Sequence, residues 1–207
     1  MKIAIVHDWL TGMRGGEKCL EVLCTLYPSA DLFTLLHIPG SVSSSIESHS
    51  IHTSFIQNLP FVESKYRYYL PLMPLAIERF NFQKYDLIIS SSHCVAKSVK
   101  PRSGSLHICY CHTPMRYIWD QFDQYFCITK SGLIPWVIMK LLRPWFQRWD
   151  SKTSSRVDHY IANSRHVQKR IKKYYQREAT VIHPPVDTQR FKPSGHNENE
   201  YFLIVSA

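Results

Sequence analysis

The chain has 207 residues, and its 25 Lys and Arg against 16 Asp and Glu give a formal net charge of +9. With 44% hydrophobic and 20% charged residues, it is not an intrinsically disordered protein and is long enough for one sizeable core. The positive charge favours a polyanionic partner: nucleic acid, anionic lipid or a phosphorylated small molecule. Net charge assigns no site, so a basic protein without a functional field is an equal alternative.

Apolar runs alternate with segments of helical period along the chain. Strands are expected at residues 2–6, 31–37, 50–53, 86–90, 106–111, 159–162 and 180–183. Helices are expected at residues 16–27, after Ser92, at 135–149, after Ser164, and, interrupted by two prolines, at 66–80. This alternation predicts the α/β class, a Rossmann-like doubly wound parallel sheet with right-handed crossovers.

The last segments of the chain indicate a domain boundary. Residues 192–200 (KPSGHNENE) are polar and rich in breakers, the composition of a linker. Residues 201–207 (YFLIVSA) read as a buried strand. We therefore expect an N-terminal domain over residues 1–191, an interdomain linker over 192–200, and the first strand of a second, missing domain over 201–207.

The cysteines and the N-terminus bear on location and metal content. None of the six cysteines forms a Cys-x-x-Cys pair, so a zinc site has weak support. Most lie in apolar surroundings, which favours buried free thiols in a reducing cytosol over a disulfide framework. Because the chain enters an apolar strand at once, we expect no signal peptide and a cytoplasmic protein.

In a doubly wound sheet the chemistry belongs at the carboxyl ends of the strands, and three segments fall there. HDWLTGMRGGEK (7–18) holds glycines that permit an anion to approach a helix N-terminus, although a simple glycine turn is the alternative. CYCHTPMRYIWD (109–120) places His112 after a strand as a base, donor or structural histidine. SSSHCVAKSVKP (90–101) places His93 at the start of a helix with Ser92 as its N-cap. A part in this cap is a more ordinary role for His93 than a part in a functional site.

The aromatic-rich segment 132–156 has a second interpretation besides covering the sheet. Apolar residues recur at three- and four-residue steps, with basic residues among them: Ile134, Ile138, Leu141, Leu142, Trp145, Trp149, Lys140, Arg143, Arg148, Lys152 and Arg156. Tryptophans beside basic residues suit a lipid headgroup layer. Peripheral contact with an anionic membrane is therefore expected if Trp145 or Trp149 is exposed, and a core helix if both are buried.

Five tracts together resemble the N-terminal half of glycosyltransferase family 4: IAIVHDWL with GMRGGEKCLEVL, YDLIISSSH, YCHTPMRYIWD, YIANSRHVQKRI, and VIHPPVDTQRF. The resemblance runs from residue 1 to residue 207 and is greatest to bacterial mannosyltransferases of polysaccharide and lipopolysaccharide synthesis. It implies a GT-B architecture and retaining transfer from a nucleotide sugar, such as GDP-mannose, without a required metal. It also implies a lipid-linked or polysaccharide acceptor and a location at the inner face of the cytoplasmic membrane.

The resemblance also assigns roles to individual residues. Gly15 and Gly16 match the glycine loop beside the donor phosphates and the acceptor. His112 matches the catalytic histidine near the transferred sugar, and Arg116 lies in the same motif, where it would meet an anionic acceptor. Ser164 matches the serine of the Asn-Ser motif on the floor of the cleft. The family's Glu-x7-Glu motif is absent, so we expect this chain alone to be inactive.

Two non-enzymatic classes remain as alternatives from the sequence. One is a nucleic-acid-binding module, but the basic residues are dispersed and no recognisable motif is present, so we expect no nucleic-acid partner. The other is a non-catalytic module that binds anionic lipid through the aromatic helix. Liposome flotation and a salt titration of polynucleotide binding separate these alternatives.

Overall fold

A computed structural model of the protein describes residues 1–127, 129 and 132–188. Within these residues the chain forms one seven-stranded sheet, in which all neighbouring strands are parallel and the order is β3-β2-β1-β4-β5-β6-β7. The strands are β1 (Ile3–His7), β2 (Asp31–Thr34), β3 (Ile51–Thr53), β4 (Leu87–Ser92), β5 (Leu106–Cys111), β6 (His159–Ala162) and β7 (Ala179–Val181).

Helices connect the strands and cover the sheet. The α-helices of the described part are α1 (Gly15–Leu26), α2 (Ser44–Glu47), α3 (Val62–Lys65), α4 (Met73–Glu78), α5 (Phe122–Tyr125), α6 (Leu133–Thr153) and α7 (Arg165–Tyr175). Short 3-10 helices lie at Phe55–Asn58, Tyr66–Leu72, Ala96–Ser98 and Ser154–Arg156. In the stretch predicted to be interrupted, Pro71 lies in the second of these and Pro74 in the first turn of α4.

Both faces of the sheet are buried, which confirms the predicted doubly wound α/β fold. Along β1, Ala4 and Val6 pack into one core, and Ile5 packs into another. This explains why the strand is a continuous apolar run, since a parallel sheet covered by helices has no polar face. The strand order reverses between β1 and β4, and this switch point is where open α/β sheets bind their ligands.

The structure corrects some of the sequence predictions. No α-helix follows Ser92; residues 93–95 form a turn, and a 3-10 helix covers only Ala96–Ser98. Strand β2 ends at Thr34 rather than at residue 37, and the next residues bond to the chain that follows β1. The predicted linker (192–200) and the predicted strand of a second domain (201–207) lie outside the described residues.

A buried ion pair fixes helix α6 to the sheet. The Lys97 ammonium lies 2.9 Å from Oδ1 of Asp150, and both side chains are almost fully buried. It also donates to the Asp150 carbonyl at 2.8 Å, and the indole of Trp119 and the hydroxyl of Tyr175 donate to the other carboxylate oxygen. The pair therefore joins four segments, and loss of either charge leaves its partner buried without compensation.

We predict that Lys97→Met destabilises the protein by about 3–5 kcal/mol, because the Asp150 carboxylate loses its cation in a dry environment. Urea denaturation followed by circular dichroism measures the change. Lys100→Met is the matched control: Lys100 pairs with Glu78 at the surface, where such a pair contributes about 0–1 kcal/mol. Equal losses for the two variants would show that the buried pair has no special role.

Candidate functional site

The carboxyl ends of β1 and β4 are joined by one buried carboxylate. Asp8 follows β1 directly and is completely buried. Its two oxygens accept hydrogen bonds of 2.7 to 2.9 Å from four successive backbone N–H groups, those of residues 93–96. Burial raises the pKa of Asp8, but electrostatic interactions with His93 and His7 and the hydrogen bonds from these N–H groups outweigh it, so the net shift is downward. The carboxylate therefore remains ionised and shapes the turn after β4.

Three histidines meet at the same point. His7 ends β1, His93 follows β4, and His112 follows β5; their ring centroids lie 6.0 to 6.5 Å apart. Nδ1 of His93 lies 3.1 Å from Oδ2 of Asp8, close enough for strong electrostatic attraction between the ring and that carboxylate. The side chain of Ser91 lies between the other two, with its hydroxyl 3.1 Å from Nδ1 of His7 and 2.8 Å from Nε2 of His112.

His112 is held as a neutral imidazole. Burial and then electrostatic interactions with His7 and His93 lower its pKa from 6.5 to about 3, although Asp8 and Glu17 act in the opposite direction. Its carbonyl accepts a hydrogen bond of 3.0 Å from the side-chain amide of Asn163. The ring lines a cleft of about 640 Å³ at the switch point, hereafter the switch-point cleft.

The N-terminus of α1 forms one wall of this cleft, where Gly15 and Gly16 lie. A side chain at Gly16 would touch the rings of His7 and His112 at 3.6 and 3.8 Å, so this residue brings the helix backbone directly against both imidazoles. Gly15 faces open space. The backbone N–H groups of a first helical turn carry partial positive charge and suit an anion.

Basic side chains surround the rest of the switch-point cleft. Arg14, Arg67 and Arg116 are exposed and line it, so their guanidinium groups can meet an anion. Arg170 also lines it but is committed to a bidentate ion pair with Asp120. The cleft therefore complements a phosphate or a diphosphate more closely than a cationic or neutral ligand.

Ser164, the remaining candidate from the sequence, has a different place. Its hydroxyl caps α7 by accepting a hydrogen bond of 3.2 Å from the N–H of Val167, and it donates to the side chain of Asn163 at 3.0 Å. This agrees with the prediction that a helix begins after Ser164. Its neighbours Asn163 and His166 line the switch-point cleft, but Ser164 does not. Ser164 thus orients the segment that forms the floor of the cleft.

Four residues of this network were not predicted from the sequence as site residues: His7, Asp8, Glu17 and Ser91. Their signal was present: polar residues interrupt or directly follow apolar strands at 7–8 and 90–92, and Glu17 follows the glycines. A polar group at the end of a buried strand must find a partner, so such residues indicate a network. Among the described residues, no group of three or more His, Cys, Asp or Glu is arranged to hold a metal ion.

A second pocket adjoins the switch-point cleft and is mostly apolar. It has a volume of about 420 Å³ and shares Trp9, Arg67, Tyr117 and Tyr125 with the cleft. Its other walls come from the 3-10 helix Tyr66–Leu72, from Phe126 and from the first turns of α6. A ligand with a polar head and an apolar tail could therefore occupy both spaces at once.

The family model of glycosyltransferase family 4 matches residues 34–190. The chain belongs to this family. The match covers β3 to β7 and the last residue of β2, including His112 after β5 and the helix capped by Ser164, so this part of the family 4 domain carries most of the cleft. No curated protein matches the sequence significantly.

Solved structures show the fold of this family 4 domain. HepE (Alr3699) of Anabaena, solved in complex with UDP, matches with a TM-score of 0.50 and 14% identity, over 94% of this chain and 47% of HepE. The wall teichoic acid polymerase TagF matches at a TM-score of 0.41 and 12% identity, over 87% of this chain and 38% of TagF, too distant for argument. The chain thus has a Rossmann-like fold of the GT-B type and spans about half the length of HepE.

We predict that the free energy of unfolding falls as the pH is lowered from about 6.5 towards 4. In the native state burial lowers the pKa values of His93 and His107, the latter to about 4, and burial with neighbouring charges lowers that of His112 to about 3. The unfolded chain binds protons at these residues near pH 6.5, whereas the native state does not, so acid favours unfolding.

Urea denaturation at several pH values between 7 and 4.5 measures this slope. We expect the slope to correspond to the uptake of more than one proton on unfolding. In His112→Gln the slope should be smaller. Below about pH 4, protonation of Asp8 and Glu17 adds to the loss, because both have lowered pKa values in the native state. A stability that is constant between pH 7 and 5 would contradict the prediction.

Proposed function

We propose that this domain is the acceptor-side half of a retaining glycosyltransferase that transfers a hexose from a nucleotide sugar. The observation that carries the proposal is neutral His112 at the switch point, between the N-terminus of α1 and three exposed arginines. The imidazole can form hydrogen bonds with sugar hydroxyls without carrying charge. The helix N-terminus and the arginines can neutralise phosphate groups beside it.

The donor and the metal requirement are proposed from the family. Glycosyltransferase family 4 membership supports a nucleotide-sugar donor, and HepE was solved with UDP. We propose mannose, carried as GDP-mannose, because of the resemblance to bacterial mannosyltransferases, and transfer without a required metal. The cationic groups would then supply the stabilisation of the leaving diphosphate, together with a second domain that completes the nucleotide site.

The apolar pocket supports a lipid-linked acceptor. A saccharide attached through a phosphate to a long apolar chain would place its sugar near His112, its phosphate near Arg67 and Arg116, and its chain in the pocket. Arg67 borders both spaces, so it is positioned for the charged link. A free polysaccharide would leave the apolar walls without a partner.

Helix α6 supports contact with a membrane at the cytoplasmic face. One face of its N-terminal part presents an apolar stripe to solvent: Ile134, Val137, Ile138, Leu141 and Trp145. Ile134 and Leu141 are 72% and 75% exposed, whereas Trp149 packs on the core and bonds to Glu78. A group of exposed apolar side chains on one helix face is typical of an interaction surface. No helix in the described residues is long and apolar enough to span a bilayer.

Basic residues near the apolar stripe provide attraction to anionic lipid. Lys140, Arg148 and Lys152 are exposed, whereas Arg143 and Arg156 are occupied by hydrogen bonds to the protein. Three available cations at about 1 kcal/mol each give reversible binding. The apolar pocket shares Ile138 with the stripe, so an acceptor chain could pass from the membrane into the pocket.

A transfer assay tests the proposed enzyme. The complete gene product, given GDP-mannose and EDTA, should glycosylate a polyprenyl-diphosphate-linked saccharide faster than the same free saccharide. His112→Ala should lower kcat by about 10²-fold or more at unchanged melting temperature. The 207-residue chain alone should show no transfer. Full activity of His112→Ala would exclude a role at the reacting centre, and equal use of both saccharides would exclude the lipid-linked acceptor.

Flotation with vesicles tests the membrane contact. The protein should float with vesicles of phosphatidylcholine and phosphatidylglycerol, and less with phosphatidylcholine alone. Ile134→Ser with Leu141→Ser should weaken binding at least about tenfold, since each buried side chain contributes roughly 1.5–3 kcal/mol. Leu75→Ser, an equally simple change at a half-exposed residue of α4, is the control and should bind normally. An unchanged double variant would contradict the proposal.

A further inference from the structure

Two of the three histidines, His7 and His112, are linked through the side chain of Ser91. Oε1 of Glu17 lies 3.7 Å from Nε2 of His7, too far for a hydrogen bond but close enough for electrostatic attraction, and that buried nitrogen has no hydrogen-bond partner among the described residues. Nδ1 of His7 contacts the Ser91 hydroxyl, which contacts Nε2 of His112. The contact between His7 and Ser91 follows from the sheet, because these residues are register partners on β1 and β4.

We propose that Glu17 fixes the position of the ring proton of His112 through His7 and Ser91. These three are positioning residues, since none of them needs to touch the substrate. The result is that His112 keeps its proton on Nε2 and offers the lone pair of Nδ1 to the switch-point cleft. The functional consequence rests on the proposed transferase, whereas the proton position does not.

The direction follows from the number of protons available. The Glu17 carboxylate is ionised: burial raises its pKa, but the interactions with His7 outweigh this and the net shift is downward. When the His7 ring carries one proton, the carboxylate attracts it to Nε2, and Nδ1 of His7 is then an acceptor facing Ser91. The Ser91 hydroxyl must donate to that nitrogen. Its oxygen can only accept from His112, so Nε2 of His112 carries the proton.

The lone pair on Nδ1 has no partner among the described residues. It can accept a hydrogen bond from a hydroxyl of the sugar or of the acceptor. An imidazole with a pKa of about 3 does not hold a proton at neutral pH, so it orients the hydroxyl without removing its proton permanently. The relay thus selects a hydroxyl at this point and disfavours a second acceptor group, such as a phosphate oxygen.

Glu17→Gln reverses the relay with minimal change of shape. Glu17 already accepts a hydrogen bond of 3.1 Å from the Arg14 N–H through its other oxygen. The glutamine oxygen can keep that bond, which turns its NH₂ group towards His7. Nε2 of His7 then becomes an acceptor, Nδ1 donates to Ser91, and Ser91 donates to His112. The proton of His112 moves to Nδ1, and the lone pair is lost from the cleft.

Long-range ¹H–¹⁵N spectra of the imidazoles in the ¹⁵N-labelled 207-residue chain read the proton positions directly. We expect Nε2–H at His7 and His112 in the wild type, and Nδ1–H at both in Glu17→Gln. Glu21→Gln, on the exposed side of the same helix, is the control and should change neither. A wild-type His112 protonated at Nδ1, a doubly protonated His7, or tautomers that ignore Glu17→Gln would each overturn the proposal.

A second pair of variants tests the central link even if Glu17→Gln folds poorly. In Ser91→Ala the ring proton of His112 should no longer be confined to Nε2, whereas in Ser90→Ala it should stay there. Ser90 is the matched control because it lies on the same strand, is equally buried, and bonds a different histidine, His107, at 2.9 Å. Identical His112 signals in both variants would exclude the link.

Kinetics separate this proposal from the proposed function. In the complete gene product, Glu17→Gln should lower kcat by about 10²-fold with little change in KM, as expected for loss of a hydrogen bond made at the reacting centre. Altered tautomers with normal kcat would show that the relay has no part in transfer. If the wild type transfers no sugar, the proposed function fails, and the spectra still decide the relay.

Discussion

The Asp8 carboxylate is the constraint on which the site depends. A buried ion is costly, and this one is stabilised by four successive backbone N–H groups and by the ring of His93. The same contacts consume N–H groups that would otherwise be orphaned in a buried turn. Because the turn follows β4 and the carboxylate follows β1, both sides of the switch point are fixed in one arrangement. This arrangement also fixes the spacing of His7 and His93.

A second buried charge, Lys97, directly follows the turn that binds Asp8. The 3-10 helix Ala96–Ser98 carries Lys97 inward to Asp150, which also receives Trp119 and Tyr175. This network anchors the C-terminal part of α6, where Phe146, Asp150 and Thr153 are buried. The N-terminal part of the helix has only Met139 buried and leaves the apolar stripe exposed. One helix thus serves the core at one end and presents a surface at the other.

The sequence predicted the parallel sheet because strands buried on both faces are continuous apolar runs, visible without any partner. It also predicted the cap at Ser164, whose partner lies three residues away. It failed where contacts are distant in sequence. In place of the expected helix after Ser92, the chain forms a turn around Asp8, 85 to 88 residues earlier, which accepts the N–H groups of residues 93–96. Likewise, nothing local joins His7 to Ser91; only the register of β1 with β4 does so.

The central place of β1 has a consequence for biosynthesis. Strand β1 can pair with β2 early in translation, but its other edge and the Asp8 carboxylate must wait for residues that lie 84 to 88 positions later. At about 5–20 residues per second, translation takes roughly 4–18 s to supply them. During that interval the nascent chain carries an apolar strand with an open edge, so this domain should depend on chaperone protection while it is being translated.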